Sequence, residues 1–389
     1  MDYSLPATVE DDGSTILCEI HCIHAGFMIM GDLMSDAARK TDYLAYLHSF
    51  RGFAILCIVG AHAWSMLGFT SGAETRLPDY IWLYATTETL FHGSTLFFAL
   101  ISGILYTRVL RGKSWRSFYS SKWTNVVLPY AFITLLLTAL AWPEYLAYGK
   151  ANHIEFFFPQ ELLTNIASGR AQGHLWYIPV LCVLFALTPP LDRLLRFGNG
   201  FVVMLLALLP LVVSRTTYPD LLSVQSVIYF LGAYAFGMLL GERLQSMLAL
   251  IQRHLRFLLA LLVISTIGNF LLFLWDYVPV GLTSAHQSVV YIQKLTLALV
   301  MLNLLHARGL RQSRFLGVLG TYSFSLYFLH LTPIWMLSEA FGKRFPDATL
   351  PGLALGGLLI YLLSIALCLL LSMGLRRMLG RHSRMLIGT

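Results

Sequence analysis

The sequence has little charge. Only 12% of its 389 residues are charged, whereas 57% are hydrophobic and the mean hydropathy is +0.67. Soluble domains carry about 25% charged residues, so this composition excludes an ordinary soluble protein. It predicts an all-α, polytopic membrane protein.

Cysteine is also scarce. The chain has 5 cysteines, and three of them lie within apolar segments, which argues against a disulfide framework. Cys18 and Cys22 lie beside His21 and His24, but no second pair with ligand spacing follows. Structural zinc sites need such a second pair, so we expect no metal site.

The ends of the chain lack other familiar features. Residues 1–42 are polar and acidic, without the basic start and apolar core of a signal peptide, and we expect a disordered cytosolic tail there. The natural start could instead be one of the methionines at 28, 30 or 34. Residues 376–389 form a short basic tail, so we expect any chemistry to lie in a membrane domain over residues 43–375.

Long apolar runs are what the chain does have. Runs of roughly 16–22 residues are long enough to cross a bilayer as helices. We place about ten membrane helices at 48–68, 83–105, 124–142, 174–192, 199–214, 222–240, 256–275, 286–306, 316–337 and 351–374. The fifth is short and contains Pro210, so it is the least regular.

The basic residues indicate the orientation. Alternate connections hold 19 Lys and Arg residues and the opposite connections hold 6. Because cytoplasmic loops are enriched in Lys and Arg, ten helices place both termini in the cytosol. The net charge of +7 is therefore attributed to membrane insertion, and we expect no nucleic-acid partner.

Two ionisable residues share one face of the first predicted helix. Ten residues separate Arg51 from His62, so at 100° per residue both lie on one face, about 16 Å apart along the axis. A charge at the bilayer centre costs roughly 2.5–3.5 kcal/mol on insertion scales. The pair therefore indicates a cavity, a partner or chemistry, although an interfacial anchor and a packed histidine would give the same pattern.

Other ionisable groups fall at a similar depth. His330 lies as far along its helix as His62 does, and Glu88 and His92 lie one turn apart in the second helix, with Lys294 at a comparable level. A shared polar cavity in the outer half of the bilayer would accommodate them. Lys294 could instead pair structurally with a carboxylate.

The predicted cytosolic side is basic. Arg108 and Lys122 lie close to the cytosolic end of the first helix, and Ser102 and Gly103 allow helices to approach closely there. A basic mouth of this kind suits a phosphorylated ligand. Membrane insertion alone would account for most of these charges.

Several segments together resemble one family. They are Phe50-Arg51-Gly52-Phe53-Ala54 with the spacing to His62, Thr95–Leu105, Lys122–Tyr130, His174-Leu175-Trp176-Tyr177-Ile178 and Leu319–His330. In this order the chain resembles the acyltransferase-3 family of bacterial integral-membrane acyltransferases. Ile104 and Lys122 depart from the usual Phe and Arg of the family.

The resemblance implies a function. It implies transfer of an acyl group, acetyl or another, from cytosolic acyl-CoA to a hydroxyl of a surface or secreted glycan on the outer side. It also implies a multi-pass protein of the bacterial inner membrane, with acyl-CoA as co-substrate and no tightly bound cofactor. The acceptor would be a glycan or lipid-linked saccharide, and polysaccharide-synthesis machinery would be a partner.

Residue roles follow as hypotheses. His62 would act as general base or carry the acyl group, with Arg51 and Glu88 as catalytic neighbours, because a sugar hydroxyl needs a base of near-neutral pKa. The acyl-CoA would contact Arg108, Ser102, Gly103 and Lys122. The acceptor would contact His174, Trp176, Tyr327, His330 and His92.

A transporter or flippase of a lipid-linked saccharide is the alternative. Ten helices with a polar midplane also describe a carrier. Hydropathy symmetry between the two halves of the chain is not evident, which favours the enzyme.

Overall fold

A computed structural model describes residues 45–216, 222–275, 283–307 and 313–388. Within these ranges the chain is helical and contains no strand. The cluster of Cys18, Cys22 and their neighbouring histidines lies outside the described residues, as does the predicted N-terminal tail.

The helices follow the predicted apolar runs. In chain order they are α1 (Ala45–Thr70), α2 (Tyr80–Phe91), α3 (Leu96–Leu105), α4 (Trp115–Lys122), α5 (Leu128–Asn152), α6 (Phe158–Ser168), α7 (Tyr177–Ala186), α8 (Thr188–Arg196), α9 (Gly200–Leu208), α10 (Val224–Glu242), α11 (Leu244–Arg253), α12 (Leu255–Leu274), α13 (Ala285–Ala307), α14 (Arg314–Thr321), α15 (Ser323–Leu329), α16 (Leu331–Arg344), α17 (Leu350–Leu379) and α18 (Ser383–Ile387).

The chain is a multi-pass membrane protein. In the described part, 7 helices are long and apolar enough to cross a membrane, or 8 if α7 and α8, bent by 43°, form one span. The predicted fifth run is a shorter apolar helix, and the predicted ninth run is divided into α14, α15 and α16. The count of ten and the cytosolic placement of the termini stay predictions.

The helices α3 and α10 form the centre of the bundle. Most residues of both helices are buried, and the helices meet at two glycines. A Cβ on Gly103 would lie 2.1 Å from the Tyr234 carbonyl oxygen, and one on Gly237 would lie 2.1 Å from that of Leu100. Small residues permit this contact between backbones, so the helices cannot separate without losing it.

A second close contact joins α1 to α14. A Cβ on Gly52 would lie 2.2 Å from the Leu316 carbonyl oxygen, and one on Gly320 would lie 2.2 Å from that of His48. The two backbones therefore touch next to Arg51. This contact fixes the N-terminal end of α1 against the segment that carries Tyr327 and His330.

The second predicted span is broken between α2 and α3. Gly93, with a φ of 75°, forms part of the turn. The end of a helix leaves carbonyl groups without partners, and the buried Lys294 side chain donates to the Thr89 and Leu90 carbonyls at 3.1 and 3.0 Å. The positive charge also suits the negative end of the α2 dipole, so Lys294 stabilises the break.

Candidate active site

Arg51 is held near the N-terminal end of α1. Its Nη2 donates to Ser323 Oγ at 2.8 Å, and the guanidinium lies 5.3 Å from the centre of the Phe324 ring. The backbone contact of Gly52 with α14 brings these partners within reach. Arg51 therefore has a fixed position rather than extending freely into solvent.

His62 meets two other histidines further along α1. The ring centroids of His62 and His330 are 5.2 Å apart, those of His174 and His330 are 4.6 Å apart, and those of His62 and His174 are 6.4 Å apart. We call these three residues the histidine cluster. His174 comes from the turn before α7 and His330 from the junction of α15 and α16, so three separate segments build it.

Hydrogen bonding fixes the tautomer of His330. Its Nδ1 contacts the carbonyl oxygens of Leu326 and Tyr327 at 3.0 and 2.9 Å. A carbonyl only accepts hydrogen bonds, so Nδ1 carries the proton and Nε2 presents a lone pair. This Nε2 is buried and has no hydrogen-bond partner among the described residues. It is therefore available to accept a proton from a bound substrate.

His174 is equally enclosed. The residue is 3% exposed, and among the described residues neither ring nitrogen makes a hydrogen bond of acceptable geometry. Its backbone carbonyl accepts a hydrogen bond from the Tyr327 hydroxyl. A buried polar atom without a partner is costly, so these nitrogens indicate a site for a polar ligand.

Glu88 and His92 form a separate pair. The Glu88 carboxylate lies 2.7 Å from His92 Nδ1, and Arg215 donates to His92 Nε2. Because arginine only donates, Nε2 accepts and the proton of His92 lies on Nδ1, facing Glu88. The sequence analysis predicts Glu88 as a catalytic neighbour of His62, and the structure pairs its carboxylate with His92. Both residues remain within electrostatic range of His62.

A cavity of about 710 Å³ lies beside Arg51, near the N-terminal end of α1. Its lining includes five cationic side chains and no carboxylate among the described residues; the cations are Arg51, Lys122, Arg376, Arg381 and Arg384. We call it the basic cavity. Apolar residues such as Leu105, Ile178 and Leu181 line its walls. The cavity therefore combines cationic groups that can bind anions with apolar walls.

Tyr327 connects the two sites. It lines the basic cavity, and its ring lies 5.2 Å from that of His174 and 6.2 Å from that of His330, centroid to centroid. The lining of the cavity therefore reaches the histidine cluster through Tyr327.

The other predicted site residues are divided between lining and packing positions. Ser102 and Lys122 line the basic cavity. Arg108 is exposed and does not line it, while Gly103 lies in the contact of α3 with α10. Trp176 packs 5.6 Å from Phe230 and 6.1 Å from Tyr177, centroid to centroid.

Sequence reasoning missed two groups of residues. Arg215 lies in a connection and was counted only for topology, and Arg376, Arg381 and Arg384 were assigned to a tail. Nothing local distinguishes these arginines from others in the loops. In the part of the chain that the structure describes, no group of three or more His, Cys, Asp or Glu residues is arranged to hold a metal ion.

Comparison with protein families agrees with this geometry. A family model described as an acyltransferase domain matches residues 44–377, which include α1, the histidine cluster and most of the basic cavity. Neither the curated proteins nor the solved structures give a match. The chain belongs to the acyltransferase-3 family, and it is a membrane acyltransferase.

Proposed function

We propose that this protein transfers an acyl group, acetyl in the simplest case, from acyl-CoA to a hydroxyl of a surface or secreted glycan. One observation carries the proposal: Tyr327 lines the basic cavity and contacts the histidine cluster. A donor with anionic phosphates and a long thioester arm suits this combination. We place the protein in a bacterial inner membrane, with the basic cavity facing the cytosol.

The dimensions agree with an extended donor. Arg51 and His62 are eleven positions apart in α1, or about 16 Å along the axis. An extended pantetheine arm is about 15–20 Å long by chain geometry. Phosphates held in the basic cavity would therefore place the thioester at the histidine cluster.

The histidine cluster supplies the base for the reaction. The acceptor oxygen attacks the thioester carbonyl carbon, its proton passes to an imidazole nitrogen, and the thiolate of CoA leaves as the ester forms. The departing thiolate then takes a proton from the imidazolium. His62 is the general base in this scheme, and His330 Nε2 accepts a hydrogen bond from a neighbouring hydroxyl of the acceptor, which orients the reacting hydroxyl toward His62. The alternative in which His62 transiently carries the acyl group uses the same residues.

The acceptor enters from the outer side. His92 is half-buried beside the Glu88 and Arg215 side chains, and these polar groups lie on the approach to His62. Such groups suit the hydroxyls of a glycan or a lipid-linked saccharide. Polysaccharide-synthesis machinery would supply that acceptor.

A vesicle assay tests the proposal. The purified protein is reconstituted with radiolabelled acetyl-CoA on one side and a lipid-linked oligosaccharide fraction on the other, and free thiol and labelled saccharide are measured together. We expect stoichiometric release of CoA and covalent labelling of the saccharide. Movement of unlabelled saccharide without thiol release would instead establish a carrier and refute the proposal.

Mass spectrometry of surface glycans identifies the acceptor. Glycans from cells with and without this protein are compared for ester-linked acetyl groups. Identical acylation in the two samples would contradict a role in glycan modification. A difference at one hydroxyl would name the acceptor position.

A further inference from the structure

We propose that the C-terminal segment, residues 380–388, is the phosphate-binding wall of the donor site, with Arg381 and Arg384 contacting the phosphates of acyl-CoA. This inference rests on the proposed function. It assigns a binding role to a segment that its sequence alone marks only as a basic tail.

The segment returns to the cavity after α17 ends. Gly380 has a φ of 54°, in the left-handed region that favours glycine. The Ser383 hydroxyl then donates to the Gly380 carbonyl at 2.8 Å, and α18 follows at once. This turn redirects the chain, so that Arg381, Ser383, Arg384 and Gly388 line the basic cavity.

Packing holds the segment in place. Ser383 is 1% exposed and Ile387 is 3% exposed, and Ile387 belongs to the hydrophobic core. A Cβ on Gly388 would lie 3.0 Å from Phe324 Cβ, on the helix that also positions Arg51. The backbone of the segment is therefore held as a wall of the cavity, and its two arginines lie at the cavity surface.

The arginines of this wall differ from nearby arginines in their ion-pair partners. Arg111 contacts Asp192 at 2.8 Å and Glu242 at 3.0 Å, and Arg196 contacts Asp192 at 2.6 Å. Among the described residues, no carboxylate pairs with Arg381 or Arg384. These two guanidinium groups line the cavity with their donors available for an anionic ligand.

The remaining cations of the cavity have partners of other kinds. Arg376 lies 5.8 Å from the centre of the Tyr322 ring, and Lys122 lies 4.3 Å from that of Phe185. Arg51 donates to Ser323. Arg381 and Arg384 therefore keep more of their hydrogen-bond donors available for a ligand than the other cations of the cavity do.

The chemistry of CoA matches this arrangement. CoA carries a pyrophosphate and a separate ribose phosphate, and the planar fork of arginine binds phosphate oxygens in pairs. The wall and Tyr327 line the same cavity, and Tyr327 also contacts the histidine cluster. Phosphates at the wall would leave the pantetheine arm directed toward the histidine cluster.

A donor series tests the role. KM is measured for acetyl-CoA, acetyl-dephospho-CoA and S-acetylpantetheine with the wild-type protein and with R381Q, R384Q and the double variant. Each single substitution should raise KM for acetyl-CoA about tenfold, the size expected for one charge-assisted hydrogen bond. KM for S-acetylpantetheine should stay unchanged, because this donor has no phosphate. If only the ribose phosphate is bound, KM for acetyl-dephospho-CoA should stay unchanged as well.

The control is Arg377→Gln. Arg377 is exposed and adjacent to the wall but does not line the cavity, so its substitution should leave all three KM values unchanged. Gel-filtration profile and thermal midpoint report folding, and R384Q alone suffices if the double variant fails to fold.

Three outcomes overturn the inference. Equal rises for acetyl-CoA and S-acetylpantetheine would show a structural role, and unchanged KM values in the double variant would exclude phosphate contact. If the wild-type protein neither binds nor uses any of the three donors, the proposed function fails, and this inference fails with it.

Discussion

The histidine cluster and the basic cavity meet at Tyr327 but differ in solvation and charge. His174 and His330 are buried, and among the described residues neither ring nitrogen of His174 nor Nε2 of His330 has a hydrogen-bond partner of acceptable geometry. The basic cavity is open and lined by arginines that retain exposed surface. Binding a phosphorylated ligand requires charge, whereas proton transfer benefits from a site that excludes water.

Substitutions in the two sites should reduce activity in different ways. Changes in the histidine cluster should lower kcat and leave donor binding intact. Changes in the basic cavity should raise KM for the donor and leave kcat nearly intact. The following predictions test that separation, from the largest effect on transfer to the smallest.

His62→Ala should give the largest loss. Removal of a general base costs about 10²–10⁴-fold in kcat, and acetyl-CoA binding, measured by calorimetry, should be unchanged. His254→Ala, at an exposed position at the end of α11, is the matched control and should retain full activity. Normal transfer by His62→Ala would remove His62 from the catalytic role.

The roles of the two ring nitrogens of His330 can be tested separately. Asn at this position keeps a donor near Nδ1, and Gln places a polar but non-basic atom near Nε2. Because the proposed role belongs to the Nε2 lone pair, both variants should lose about 10²-fold in kcat. Each should keep a thermal midpoint near that of the wild type. Full activity in His330→Asn would show that only the Nδ1 bonds to the backbone matter.

Arg51→Lys tests the boundary between the two sites. Lysine keeps the charge but lacks the planar fork, so KM for acetyl-CoA should rise about tenfold while kcat changes by less than about threefold. Arg253→Lys, exposed on α11 and outside the basic cavity, is the control. A large fall in kcat with constant KM would place Arg51 with the histidine cluster instead.

Gly103→Ala should affect stability rather than chemistry. The added Cβ would lie 2.1 Å from the Tyr234 carbonyl oxygen, so α3 and α10 must move apart, at a cost of about 1–3 kcal/mol. Gly374→Ala, with open space around its Cβ position, should have a thermal midpoint at or above that of the wild type. Equal midpoints in the two variants would contradict the close helix contact.

Much of the fold could be predicted from the sequence. Each predicted apolar run is helical in the described part, because hydrophobic length and helix geometry are properties of the local sequence. The breaks were harder to predict. The run 83–105 looks continuous, yet α2 ends at Phe91, and the carbonyls left there are satisfied by Lys294 from another helix. Only the tertiary structure supplies that partner.

The candidate site was predicted in part. The spacing of Arg51 and His62 and the depth of His330 follow from helix geometry, and the structure places the His62 and His330 rings 5.2 Å apart, centroid to centroid. Glu88 and His92 lie one turn apart, so helix geometry is compatible with their pairing. The contribution of Arg215 could not be predicted, because this arginine comes from a distant connection and fixes the tautomer of His92 that faces Glu88.

The sequence by itself determined a multi-pass helical membrane protein with an arginine and a histidine on one face of its first helix. Low charge and long apolar runs are enough for that conclusion, since the bilayer requires helices of a certain length. Only the tertiary structure decided which of many arginines line a cavity. Asp192 and Glu242 pair with Arg111 and Arg196, whereas the turn at Gly380 brings Arg381 and Arg384 to the basic cavity. Such pairings depend on contacts between residues far apart in the chain, which a local pattern does not record.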